Sequence, residues 1–249
     1  MVVDVIGDFM EKQKRKIKVL LTDLDNTLIP TGEFSKIARN AAIQALLLGK
    51  LKVDPQDLTR RLEGIIKKYG SNFSSHFDIL LDELKVPSRQ KSRLVARAVI
   101  AYHNAKHILQ PYNDVPSALV TLHDQGYKQY VVSEGLSKKQ WEKIFRTGID
   151  LIIDDAFMTE DFGFKEKNED FLKMVLTEVK VEPSECMMIG DRPDKDIRAA
   201  NKMGITSVRV LTGPYKTTTE NDEWEKAKFK IKKFSEILTI LPLVEKRLG

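Results

Sequence analysis

Ile17-Lys18-Val19-Leu20-Leu21-Thr22-Asp23-Leu24-Asp25-Asn26-Thr27 decides the fold of this chain, because an apolar run of strand length stops there on two carboxylates two residues apart. Like charges that close raise one another's pKa and resist ionisation unless a bound cation or a developing positive charge offsets the repulsion. Alternation along a strand sends residues i and i+2 to one side, and in open parallel sheets ligands bind outside the carboxyl ends of the strands. Asp23 and Asp25 are therefore expected to face one ligand. One can serve as nucleophile or as oxygen ligand of a hard cation, while the other moves protons. Taken by itself, the pentapeptide Asp23 to Thr27 fits a strand-ending turn equally well, since Asp and Asn turn and cap readily.

Working outward, the segment from residue 113 onward alternates apolar strands with amphipathic helices. A helix over 115–125 ends at Gly126 and feeds the strand Lys128–Ser133; a helix over 138–147 ends at Gly148. A short strand within 151–158, a helix over 169–178, a strand over 186–189 and a helix over 194–203 closed by Gly204 follow. Strands over 206–211 and 229–231 and a helix over 235–247 complete the series. Between 34 and 112 strands vanish, and apolar residues recur at helical spacing, as in Ile37, Ala41 and Ile43 to Leu48. Gly49, Pro55, Gly70 and Pro87 divide that stretch into about four helices. The expected fold class is α/β: a Rossmann-like parallel-sheet core from 1–33 and 113–249, with an inserted α-helical cap domain over 34–112.

At 249 residues the chain is long enough to bury a substantial core. Lys and Arg number 41 against 36 Asp and Glu, a net charge of +5 spread along the sequence. Aromatics interleaved with arginines, Cys/His zinc spacings and a basic recognition helix are missing, so nucleic acid is not indicated. A mild positive excess suits a small anionic substrate. The lone cysteine, Cys186, cannot close an internal bridge, and Met187-Met188-Ile189 beside it reads as buried strand, which fits a reducing cytoplasm. The charged run Glu11 to Lys16 follows a few apolar residues without a cleavage signature, so no signal peptide is read there. No stretch approaches the roughly 20 apolar residues that span a bilayer. A soluble protein without a membrane partner, monomer or homodimer, is expected.

Further polar groups fall at other strand ends. Ser133 closes its strand and is followed by Glu134-Gly135, where a hydroxyl and successive amides can form a nest for phosphate oxygens, although a serine there also fits an ordinary helix cap. Gly190-Asp191-Arg192-Pro193-Asp194-Lys195-Asp196 follows Met187-Met188-Ile189. Asp194 is expected to cap the next helix, whereas Asp191 occupies the same kind of strand end as Asp23 and can join it around a divalent cation. Lys165 can supply the positive charge that carboxylates facing a phosphate require, and Lys167 competes for the role.

The order Asp-x-Asp-x-Thr, Ser, Lys and Gly-Asp-x4-Asp resembles the haloacid dehalogenase superfamily of hydrolases, specifically the phosphatase branch with an α-helical cap inserted after the first motif. Ser75-His76-Phe77-Asp78 and Ala101-Tyr102-His103-Asn104-Ala105-Lys106 are similar to the cap of archaeal-type members. The resemblance implies a Mg2+-dependent phosphatase acting on a small phosphate monoester. Asp23 would attack phosphorus to form a phospho-aspartate, and Asp25 would protonate the leaving alkoxide and later deprotonate water. Asp23, the backbone carbonyl of Asp25 and Asp191 would hold Mg2+, with Asp196 orienting that shell and holding the lysine. Thr27 and Ser133 would donate to the transferring group, Asn26, Glu134 and Gly135 would lie against the substrate, and Lys165 would neutralise its charge.

Two positions depart from the family pattern: Glu166 follows the lysine where proline is common, and Glu134 follows the motif serine where a small polar residue is frequent. Lys165 is favoured over Lys167 because its spacing to Phe171 matches the family interval. A phosphomutase shares these motifs. A dehalogenase of the same fold lacks the second acid, so Asp25 argues for phosphate, and a non-catalytic regulator would be expected to lack Asp23, Asp25 or Asp191. In the cap, His76, His103 and Lys106 are the polar candidates for specificity, the last two at i, i+3. His103 and His107 have no nearby third ligand to make a zinc site.

Overall fold

The computed structural model describes residues 16–248, so most of the charged run Glu11 to Lys16 lies outside the described residues. The first strand, β1 (Val19–Thr22), is entirely buried. Four helices follow, α1 (Thr31–Leu48), α2 (Pro55–Tyr69), α3 (His76–Glu83) and α4 (Ser88–Ala105). The chain then alternates: α5 (Val115–Asp124), β2 (Lys128–Ser133), α6 (Ser137–Thr147), β3 (Asp155–Met158), α7 (Glu169–Val179), β4 (Cys186–Gly190), α8 (Arg198–Lys202), β5 (Thr206–Val210), β6 (Phe229–Ile231) and α9 (Ile237–Leu248).

The six strands form one parallel sheet in the order β3-β2-β1-β4-β5-β6. β1 and β4 are buried throughout, the apolar continuity that a parallel sheet covered on both faces demands. Against one face α7 packs Phe171, Leu172 and Val175 onto Leu21, Val132 and Met188; a fully buried Phe or Leu is worth about 1.5–3 kcal/mol. That helix starts where Asn168 caps it, its side chain accepting from Phe171 N at 3.0 Å, and stops at Lys180 in the left-handed region. The order places β1 at the centre, beside both β2 and β4. The ends of these three strands carry Asp23, Ser133 and Asp191, so the topology itself gathers the motif residues.

Two expected elements differ. The strand expected within 151–158 begins only at Asp155, because Ile149–Leu151 winds into a 3-10 turn after α6. The helix expected over 194–203 is a π turn, Pro193–Ile197, that runs into the short α8, and Asp194 does not cap it. Asp194 instead pairs with Arg192, at 3.1 and 2.5 Å. The wider turn swings Asp196 inward, where its Oδ2 accepts from Arg192 N at 3.0 Å.

The chain divides into two units, one of Thr31–Leu109 and the other of the segments before and after it. In the helical unit Asp54 caps α2, accepting from Gln56 N at 2.9 Å and Asp57 N at 3.0 Å, with Pro55 at the first helical position. Its core is drawn from all four helices: Ile43 and Leu46, Leu58 and Leu62, Leu80 and Leu81, Leu94 and Ala98. No helix among the described residues is long and apolar enough to cross a membrane.

Candidate active site

Asp23 continues β1 by one residue, its backbone N donating to Ile189 O at 2.9 Å. This ties the first acidic loop to the end of β4, where Asp191 follows Gly190. The turn after Asp23 is tight: Asn26 adopts φ 63° and donates its N–H to Ile29 O at 2.7 Å. Asn26 is an accepted residue in the left-handed region, and a second loop holds it there. Thr212 donates its hydroxyl to Asn26 O, and a Cβ at Gly213, itself at φ 58°, would lie 2.5 Å from Asn26 Cβ. Thr27 is fully buried and reaches Asp23 Oδ2 at 3.4 Å.

Asp23, Asp191 and Asp196 are all buried, and each offers a carboxylate oxygen within 4.8 Å of the others. Gly190 permits this, since a Cβ there would stand 2.3 Å from Asp196 Cγ. Lys167 is the cation in their midst. Its Nζ donates to Asp23 Oδ1 and to Val132 O at 3.0 Å and pairs with Asp196 Oδ1 at 2.5 Å. Burial pulls the pKa of the Lys167 ammonium down, but Asp196 and Asp23 outweigh it and hold the group above its ordinary value. Burial pushes Asp23 up from 3.8 to about 7 against the opposing pull of Lys167. Asp191 is pushed to about 9, by burial and then by the charges of Asp23 and Asp196.

Three carboxylates against one buried lysine leave a deficit of positive charge. Asp191 Oδ2 is buried and has no hydrogen-bond partner among the described residues. Such an orphan is costly unless a ligand satisfies it. An all-oxygen set of this kind fits a hard divalent cation.

The lysine expected at 165 is a correction. Lys165 is exposed, while Lys167, two residues on, is 3% exposed. Spacing to Phe171 misled because the chain between Gly163 and Asn168 is irregular, and the capping of α7 by Asn168 aims the residue just before it inward. The Asp25 carboxylate, expected to move protons while only its backbone carbonyl meets the metal, is not one of the three clustered acids. Lys143 Nζ lies 2.7 and 2.8 Å from its two oxygens, and Gln140 Nε2 donates to Oδ2 at 2.9 Å.

Ser133 is buried at the end of β2 and accepts from Gln140 Nε2 at 2.5 Å. The Glu134 carboxylate is engaged elsewhere, accepting from Lys167 N at 3.2 Å and pairing with Lys195 at 3.2 Å. Gly135, at φ 131°, donates its N–H to Thr159 Oγ1 at 3.3 Å. The expected specificity residues lie in the helical unit. The ring of His76 bonds Gly70 O at 2.9 Å, His103 packs edge-on to Tyr102, and Lys106 opens a 3-10 turn after α4 instead of continuing the helix. Gln140 and Lys143 escaped the sequence reading; the signal was their i, i+3 placement on the helix after Ser133.

Comparison with known proteins places this geometry. Residues 20–210 match the haloacid dehalogenase-like hydrolase family. The glyceraldehyde 3-phosphate phosphatase of Methanopyrus kandleri is 36% identical over 228 residues, 90% of this chain and 97% of that one. That of Methanocaldococcus jannaschii is 36% identical over 231 residues, 92% and 99% of the two chains. Among solved structures, the Bacillus subtilis hydrolase YfnB, bound to magnesium, superposes with a TM-score of 0.67 at 18% identity, covering 91% of this chain and 99% of that one.

The chain belongs to the haloacid dehalogenase-like hydrolase family. Within it, the chain is an enzyme of the phosphatase branch, as its motif order implied, and hydrolases of this family use a divalent metal.

Proposed function

We propose that this protein is a Mg2+-dependent phosphatase that cleaves a small phosphorylated aldehyde or polyol, with glyceraldehyde 3-phosphate as the leading substrate. The observation that carries the reaction is the buried group of Asp23, Lys167, Asp191 and Asp196. The leading substrate comes from relatives of nearly equal length that bear that name. Asp23, Asp191 and the backbone carbonyl of Asp25 would hold the metal, with Asp196 fixing Lys167. When bound, Mg2+ supplies charge that offsets the clustered carboxylates and the substrate phosphate.

The chain's own groups divide the remaining work. An Asp23 oxygen attacks phosphorus, and the bond to the ester oxygen breaks. Asp25 delivers a proton to the departing alkoxide and later takes one from the water that releases phosphate from Asp23. Thr27, Ser133 and the backbone amide of Glu134 donate to phosphoryl oxygens, Asn26 and Gly135 shape the loops that lie against the substrate, and Lys167 balances the charge gathered there. Substrate discrimination is assigned to the helical unit, with His76, His103 and Lys106 as its polar candidates. We place the enzyme in the cytoplasm, as monomer or homodimer; the buried Cys186 thiol, pushed up to about 12 by burial, is inert to redox chemistry.

The test is phosphate release from glyceraldehyde 3-phosphate and a panel of sugar, nucleotide and short-acid phosphates, with and without Mg2+, in wild type and Asp23→Asn. Full activity in Asp23→Asn would end the mechanism. Preference for a nucleotide would end the substrate assignment.

A further inference from the structure

The two acids of the first motif are each held by a different lysine. Asp23 is held by Lys167, which is sealed in the core with 3% of its side chain exposed. Asp25 is held by Lys143, with 22% of the lysine and 28% of the aspartate exposed. A half-exposed ion pair adds little to stability and costs the entropy of a long side chain. The geometry around Asp25 is nevertheless more specific than a surface pair requires. Lys143 spans both carboxylate oxygens, and Gln140, one helical turn earlier on α6, donates to Oδ2.

Gln140 is itself fixed. Its side chain is buried, and the same Nε2 lies 2.5 Å from Ser133 Oγ and 3.2 Å from Glu134 O. One amide therefore joins the loop after β1 to the loop after β2. These contacts on Asp25 differ in kind: a bond to Oδ2 from a buried amide, and a flexible ammonium that spans both oxygens and can leave Oδ1.

Resting on the phosphatase reading above, we propose that Gln140 and Lys143 are positioning residues for Asp25. Gln140 pins Oδ2, so that Oδ1 is the oxygen presented to the leaving group, and Lys143 holds the carboxylate in that orientation until substrate takes its place. In the step they serve, Asp25 Oδ1 takes up a proton from solvent as the Lys143 ammonium gives way to substrate, an Asp23 oxygen forms a bond to phosphorus, the phosphorus–ester bond breaks with its electron pair going to the ester oxygen, and the Asp25 proton passes to that oxygen. Misplacing Asp25 should therefore hurt esters in proportion to how badly their leaving group needs the proton.

The experiment compares kcat/KM for p-nitrophenyl phosphate, whose phenolate departs unaided, with kcat/KM for glycerol 3-phosphate, whose alkoxide does not. It uses Mg2+-loaded wild type, Lys143→Met, Lys143→Arg, Gln140→Met and Asp23→Asn, with thermal melting to confirm folding. Lys143→Met is expected to lose about 10²-fold more on the alkyl ester than on the aryl ester, the lower end of what a positioned acid contributes. Lys143→Arg should recover most of that difference, since a guanidinium also reaches both oxygens. A purely structural role would lower both esters together. If folded Lys143→Met and Gln140→Met keep the wild-type ratio of the two esters, the inference falls. If instead Asp23→Asn is as active as wild type, it is the phosphatase mechanism that falls.

Discussion

Lys167 and Asp196 meet at 2.5 Å with only 3% and 1% of their side chains exposed, and the same ammonium reaches Asp23. A lysine so enclosed is a fixed charge of the site, because removing it strands carboxylates that water cannot reach.

Lys167→Met should therefore lower kcat/KM by about 10²–10³-fold, the range seen when a transition-state charge partner is removed. Lys165→Met, on the exposed position two residues earlier, should stay within about 0.5 kcal/mol of wild-type stability and keep wild-type turnover. Steady-state kinetics and urea melts of the two variants check this. The opposite ranking would restore Lys165 to the site.

Without metal, Asp23 and Asp191 titrate at about 7 and about 9 in place of 3.8. A carboxyl whose folded value is raised favours folding in its protonated form. Its contribution is complete below about pH 4 and is lost as pH rises through the folded value. The metal-free protein should thus lose stability as pH rises from about 4 to about 9, while Mg2+ restores more of it the higher the pH and expels protons on binding. Urea melts in EDTA and in Mg2+, with calorimetry in buffers of different ionisation enthalpy, measure both effects. Identical metal-free and Mg2+ profiles across that window would contradict the metal assignment.

Asp191→Asn should part stability from function. It keeps the shape of a side chain whose Oδ2 has no hydrogen-bond partner among the described residues but cannot ionise, so above about pH 9, where the Asp191 carboxyl is charged, the metal-free protein should melt higher. Mg2+ affinity should fall by at least about tenfold. Thermal melts together with Mg2+ titration test the pairing of gain and loss.

Gly190→Ala should be as damaging as changing a carboxylate, since the new Cβ would collide with Asp196 Cγ at 2.3 Å. Displacing Asp196 by even an ångström lets Lys167 move as well, and misplacement on that scale can cost about 10²-fold in rate. Turnover measured on protein of native circular dichroism checks it. An active Gly190→Ala would mean that Asp196 is not held where its role requires.

Much of this was legible in the chain. The central strands announced themselves by apolar runs ending in polar residues, and Asp23, Asp191 and Ser133 were readable because strand ends in a parallel sheet converge, whereas Thr27 entered through the family resemblance alone. Lys167 could be named only as a rival to Lys165, because no periodicity governs the irregular segment between Gly163 and Asn168; its burial depends on Asp23, Val132 and Asp196 gathering around it. Gln140 and Lys143 hid for another reason. On a helix that also carries Lys138 and Lys139 they look like solvated residues, and only the fold brings Asp25 against both and Ser133 against Gln140. Asp194 looked like a helix cap, but the π turn gave the inward position to Asp196.

The place of β1 in the sheet also bears on biosynthesis. Val19 pairs with Lys128 on one side and Cys186 on the other, so β1, which leads to Asp23, precedes both of its neighbours in the chain and is flanked on both sides only once β4 has been made. Until the ribosome has passed Asp196 the acidic cluster is incomplete, and a chain cut short between β2 and β4 leaves one hydrogen-bonding flank of an apolar strand exposed. The enzyme becomes competent only after long loops have closed, at a cost in folding speed and in exposure to aggregation that an insertion between β1 and β2 can only lengthen.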